Sequence, residues 1–190
     1  LLAEHAGGRL RATTDYEAIR ETDLTFLAVS TPSRDDGSID TSIVEAATQS
    51  LGEQLAAKDG EHLVVVKSTV VPGTTNELVI PTLEAELDEP VGESVHVAVN
   101  PEFLQMGSAV ENFQNPQKIV FGTTGDEWAL DRLHEFLRDR LFQMALDRNA
   151  PHDLIRAALA VGFDDVANFW LRLDALKSLT GEVLWPRLVE

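Results

Sequence analysis

The 190-residue sequence predicts an α/β fold, a parallel sheet with helices between its strands followed by a short all-helical tail. Three observations lead there. Short apolar runs rich in β-branched residues alternate with stretches whose apolar residues recur at helical spacing. No tight hairpin turn separates one run from the next, so the strands are expected to run parallel. Past about Ala145 the strand-like runs stop and helical spacing alone remains.

The elements follow in order. Residues 23–29, DLTFLAV, read as a buried strand halted at Ser30-Thr31-Pro32, because proline cannot donate to a ladder. A charged turn runs from Ser33 to Gly37. Asp40 then stands where an N-cap belongs, ahead of Ile43, Val44, Ala47, Leu51 and Leu55 at helical spacing. Residues 62–67, HLVVVK, make a second strand. Thr74 and Thr75 can cap the next helix, whose apolar face holds Leu78, Val79, Leu83 and Leu87 and which Pro81 should kink or restart. Residues 95–99 form a third strand and 118–122 a fourth, and 126–141 form a helix carrying Leu130, Leu133, Leu137 and Leu141. Two further helices follow, one around Leu154 to Leu159 and one opened by Asp164-Asp165. A last turn is expected near Leu184, Trp185 and Leu188. The expected domains are 1–142, carrying the sheet, and 143–190, the helical segment.

Charge narrows the partners. There are 32 acidic and 15 basic residues, a net charge of −17. Such a surface repels nucleic acid and anionic lipid, so neither is expected as a partner. The acid is scattered rather than gathered in a tail, the pattern of adaptation to high salt, or more simply of an acidic protein in ordinary salt. The chain has no cysteine, hence neither disulfides nor thiolate chemistry of its own. No apolar run approaches the ~20 residues that span a bilayer, and a cytoplasmic location is expected. The opening Leu1-Leu2-Ala3 lacks Met and the layout of a signal peptide, so the chain reads as entered midway.

Ligands of open parallel sheets bind at the carboxyl ends of the strands. Those ends here carry Val29-Ser30-Thr31-Pro32, then residues 67–75, KSTVVPGTT, then residues 100–104, NPEFL. Hydroxyls and free backbone N–H groups suit a pyrophosphate, ribose or amide, a helix start after Gly73 favours an anion, and Glu102 could take a proton from water. Each feature alone has a plainer use: a turn for Thr31-Pro32, a cap for Thr74-Thr75, a solvated or capping role for Glu102, and snorkelling for Lys67. The five histidines show no metal-ligand spacing, and no metal is assigned.

The order of these segments, with residues 115–122, NPQKIVFG, after them, resembles the UDP-glucose/GDP-mannose (nucleotide-sugar) dehydrogenase family, UDP-glucose 6-dehydrogenases most of all. The likeness runs from about Gly8 to Leu137. The resemblance implies a partial Rossmann-like sheet, the second half of an NAD-binding domain. It also implies oxidation of a nucleotide sugar's C6 alcohol to a carboxylate with two NAD molecules and a thioester intermediate. It assigns Val29, Ser30, Thr31, Pro32, Ser68 and Thr69 to the cofactor. Phe103, Leu104, Gln105 and Met106 go with Glu102 to the sugar nucleotide, which is UDP-glucose or similar. Glu102 becomes the general base for hydrolysis, with Thr69 placing the water. Homo-oligomers are a further possibility it raises.

The departures count as well. Met106 stands where the family often has an acid. No Gly-x-Gly-x-x-Gly turn occurs in the chain, and the family's nucleophilic cysteine has no counterpart. Turnover by this chain alone is therefore not expected. Residues from about Arg138 onward match nothing in the family. Two other readings stay open: another NAD-linked oxidoreductase of the hydroxyacid dehydrogenase type, and a non-catalytic interaction module on a truncated half-sheet, with Phe169, Trp170 and Trp185 as its contact stripe.

Overall fold

The computed structural model describes residues 8, 10–114 and 119–180. These fall into two units: the described residues up to Phe103 with Ile119–Ala129, and the remainder.

In the first unit, β1 (Leu24–Leu27), β2 (His62–Val66), β3 (Val95–Val99) and β4 (Gly122–Thr123) form one sheet in that order. The first three are parallel, with Leu27 opposite Val66 and Val66 opposite Val99. Every residue of β2 is buried, as its uninterrupted apolar run requires of a strand covered on both faces. On one face Leu27, Val64, Val66, Val95 and Val97 pack with Val44, Leu51 and Leu55 of α1 (Ser42–Leu55) and Leu83 of α2 (Ile80–Leu87). Each such side chain contributes roughly 1.5–3 kcal/mol on leaving water.

Two local expectations shift by a residue or a turn. The helix cap moves from Asp40 to Thr41, yet Asp40 still serves the first turn: its carboxylate accepts from the Ser42 N–H at 3.0 Å and from Arg34 at 3.0 Å. Those bonds, the Ser42 N–H first, hold the Asp40 pKa down at about 2. Pro81 does restart a helix. It lacks an N–H and its ring crowds the carbonyl four residues back, and residues Thr75–Val79 ahead of α2 widen into a π turn in which the Ile80 N–H reaches the Thr75 carbonyl.

The fourth strand departs further. It was expected over 118–122 and parallel. Instead Gly122–Thr123 pairs antiparallel with Val99 and Ala98, and Ile119 to Phe121 lie outside the sheet. A Cβ on Gly122 would stand 2.8 Å from Val99 Cγ2, so glycine permits this close crossing. The sheet is mostly, not wholly, parallel. Next to β4, buried His96 bonds Asp126 through Nδ1 and stacks on Trp128 at 4.0 Å, tying β3 to the start of the following helix. Burial opposes ionisation of Asp126, but the bonds from His96 and from the Ala129 and Trp128 N–H groups bring its pKa below the usual value.

That helix, α4 (Glu127–Asp147), outruns the expected 126–141 and passes into the second unit. It stops at Asn149, which takes the left-handed conformation at φ 56°, with the Ala150 N–H closing onto the Ala145 carbonyl at 3.0 Å. The second unit also holds α3 (Ala109–Gln114), α5 (His152–Ala160) and α6 (Val166–Thr180). Its core joins Leu141, Ala145, Leu154, Ile155, Phe163, Phe169 and Leu173. Arg172 of α6 donates to the Ala158 carbonyl at 3.2 Å and to that of Gly162, closing the end of α5. Arg148 covers the Trp170 ring at 4.0 Å. The aromatic residues Phe169 and Trp170 of the expected contact stripe thus serve this core, whereas Trp185 and the last expected turn lie outside the described residues.

Candidate active site

Because Leu27, Val66 and Val99 share one register, the loops that follow β1, β2 and β3 leave the sheet along a single rim. In a parallel sheet this is the carboxyl rim. A cavity of about 560 Å3 opens there, inside the first unit. Val66, Val97, Ala98 and Val99 line it from the sheet. Ser68, Thr69, Val71 and Pro72 line it from the loop after β2, Pro101, Glu102 and Phe103 from the loop after β3, and Thr123 and Thr124 from β4 onward.

The expected site residues divide accordingly. Ser68, Thr69, Glu102 and Phe103 come together in the cavity lining. Thr69, Glu102 and Phe103 are exposed there, whereas Ser68 is buried. Its hydroxyl accepts the Val29 N–H at 2.8 Å and donates to the Val29 carbonyl at 2.7 Å, so it stitches β2 to the loop after β1. Val29, Ser30, Thr31 and Pro32 stand on the same rim beyond β1 but do not line the cavity. Pro32 closes its loop through the Asp40 N–H, 2.8 Å from its carbonyl. Leu104, Gln105 and Met106 belong to the second unit, where the Gln105 N–H donates to Asn112 at 3.0 Å and Met106 is fully exposed.

The lining chemistry is one-sided. Among the described residues that line it, Glu102 is the only ionisable group, beside hydroxyls from Thr69, Thr75 and Thr123, the Asn76 amide and apolar walls. That set fits a ring with an attached ribose or amide. Gly73, at φ 97°, turns the chain into the π turn, and a Cβ there would meet Glu77 at 3.0 Å. Thr75 stood in the segment 67–75 but was read chiefly as a helix cap, and Asn76, Thr123 and Thr124 were not picked out beforehand; Asn76 lies at the start of the π turn, Thr123 ends β4 and Thr124 follows it.

The profile of the UDP-glucose/GDP-mannose dehydrogenase family, NAD binding domain, matches residues 1–139. The chain belongs to this family. Among its relatives, UDP-glucose 6-dehydrogenase AglM of Haloferax volcanii is 46% identical over 160 residues, which are 84% of this chain and 36% of that protein. GDP-mannose 6-dehydrogenase of Pseudomonas aeruginosa is 37% identical over 70% of the chain and 30% of the relative. Of solved structures, the ternary complex of the Pseudomonas aeruginosa GDP-mannose dehydrogenase superposes with TM-score 0.64 at 36% identity, over 67% of this chain and 29% of that one. A UDP-glucose dehydrogenase from Pyrobaculum islandicum superposes with TM-score 0.58 at 48% identity, over 64% and 27%. The chain thus spans about a third of the length of the curated relatives it matches. The matched portion is the family's NAD-binding domain, and the Rossmann-like, mostly parallel sheet is that domain's architecture. The family acts on nucleotide sugars. Among the described residues no helix is long and apolar enough to cross a membrane.

Proposed function

We propose that this chain is part of an NAD-dependent dehydrogenase that oxidises the C6 alcohol of UDP-glucose, or a close nucleotide sugar, to the carboxylate. The observation that carries the reading is the meeting of Thr69 and Glu102 in one cavity at the carboxyl rim of a parallel sheet. Bound there, NAD would accept the hydride. Thr69, Thr75 and Asn76 would hold its ring and ribose by hydrogen bonds, with apolar Val66, Val97 and Val99 excluding water beneath. Ser68 acts indirectly, by fixing Val29 and so the approach of Ser30, Thr31 and Pro32 to the cofactor. Glu102 serves as general base, taking a proton from the water that Thr69 orients. Phe103, Leu104, Gln105 and Met106 contact the sugar nucleotide. A cytoplasmic location and homo-oligomerisation belong to the same reading. So does a boundary near residue 142 between the NAD-binding part and the helical tail; the family match ends at 139, while the first compact unit ends at Ala129 and the 160-residue match to the Haloferax volcanii relative runs past 142.

Calorimetric titration with NAD and with UDP-glucose tests the reading. Binding of both, weakened by Thr69→Ala, is expected; a chain that takes up neither contradicts it. NADH formation from UDP-glucose supplies a second check. With no cysteine to form the family's thioester, the 190-residue chain should give no steady turnover by itself.

A further inference from the structure

Three segments line the cavity: residues drawn from 68–76, from 101–103 and from 122–124. One side chain reaches the root of all three. Asn100, 8% exposed, directly follows β3, and its N–H donates to the Val66 carbonyl at 2.9 Å. Its side-chain oxygen and its main-chain carbonyl accept from Lys67 Nζ at 2.9 and 3.2 Å. Its side-chain NH2 donates to the Val120 carbonyl at 2.9 Å. Lys67 directly precedes the first lining segment, Pro101 follows Asn100 and opens the second, and Val120 lies two residues before the third.

We propose that Asn100, with Lys67, is the positioning residue of this site: its carboxamide sets the spacing of the three lining segments and so holds Glu102 and Thr69 in the lining of one cavity. The proposal rests on the reading of the cavity as the cofactor and substrate site. Residue chemistry singles out asparagine. Lys67 needs an acceptor and the Val120 carbonyl needs a donor, and one neutral carboxamide supplies both. An aspartate would keep Lys67 but turn a second acceptor toward Val120. An aliphatic side chain would remove the donor to the Val120 carbonyl and one of the two acceptors that Asn100 gives Lys67, at a part-buried site. Pro101 completes the device, because a residue before proline is confined to extended backbone and the clamp's orientation passes directly to Glu102.

Hydrogen–deuterium exchange on Asn100→Asp, Asn100→Ala, Lys67→Met and Lys67→Arg tests this, read beside NAD titrations of the same proteins. Asn100→Asp should speed exchange about tenfold in 119–124 alone. Lys67→Met should do so in 68–70 and 102–103, Asn100→Ala in all three segments, and Lys67→Arg should stay near wild type. Amides of Leu63 to Val65 should not change in any of them. NAD affinity should fall about fivefold or more in Asn100→Asp and Lys67→Met and recover in Lys67→Arg. Uniform acceleration reaching Leu63 to Val65, or none in any lining segment, overturns the proposal. So does unchanged NAD affinity in Asn100→Asp. If the wild-type chain binds no NAD, the functional reading falls separately, and the exchange pattern alone decides on the clamp.

Discussion

His62 shows how one buried side chain can hold two pieces of chain and a pH response together. It is fully buried in β2, with Nδ1 2.9 Å from the Thr22 carbonyl and Nε2 2.9 Å from Thr25 Oγ1. A carbonyl can only accept, so Nδ1 carries the proton and Nε2 accepts from the threonine hydroxyl. Both nitrogens are satisfied while the ring is neutral. Burial pushes the His62 pKa below its usual 6.5, the Lys58 charge adds to this, and the Thr22 carbonyl and Asp23 oppose it. The sign follows: the neutral ring's stabilisation is complete above the unfolded pKa of 6.5 and is lost as pH falls through the lower folded value. The wild type should therefore lose thermal stability below about pH 6.5, whereas His62→Leu should lack that step. At pH 7.5 the variant should be less stable by about 1–3 kcal/mol, for the orphaned carbonyl and hydroxyl. Identical pH profiles for the two proteins would overturn the assignment. At this same scale the strand-end positions of Thr69 and Glu102 were legible from the order of the segments, whereas the roles proposed for them rest on the family resemblance. The role of Asn100 was not legible, since it lies in contacts 33 and 20 residues away along the chain.

Among elements, the β1-to-β3 pattern was legible because β-branched runs bounded by Ser, Thr, Asn and Pro admit few alternatives. The sense of β4 was not. An apolar run predicts burial, but pairing direction depends on a side-chain-free approach of Gly122 to Val99 that only three dimensions reveal. The π turn before α2 was readable only as a fault at Pro81. Helix α4 ran past its expected end because 142–147 hold good helix formers, and the stop signal at Asn149 was not weighed. Packing of α1 on α2 offers a sharp check. A Cβ on Gly52 would lie 2.8 Å from Glu86 Cβ and 3.7 Å from Leu83 Cδ2. Helix propensity alone would have Gly52→Ala stabilise α1 by roughly 0.5–1 kcal/mol. The close helix crossing should outweigh that and leave the variant less stable by about 1–3 kcal/mol in denaturant unfolding. A more stable variant would mean that the helices separate at little cost.

For the whole molecule, charge and family membership make different demands. A net charge of −17 on 190 residues implies self-repulsion that salt relieves. The melting temperature should rise as KCl goes from ~0.1 M to ~2 M, where the screening length drops below about 3 Å. A flat or falling curve would remove the argument for salt adaptation. The proposed function instead puts its site on one rim, where register between Leu27, Val66 and Val99 places three loop starts side by side. The most direct check is a two-dimensional amide NMR titration of the chain with NAD at millimolar concentration. The account predicts that Thr31, Thr69, Glu102 and Thr123 shift together while Leu154, Ile155 and Phe169 stay in place. Shifts confined to α5 and α6, or none along the rim, would contradict it.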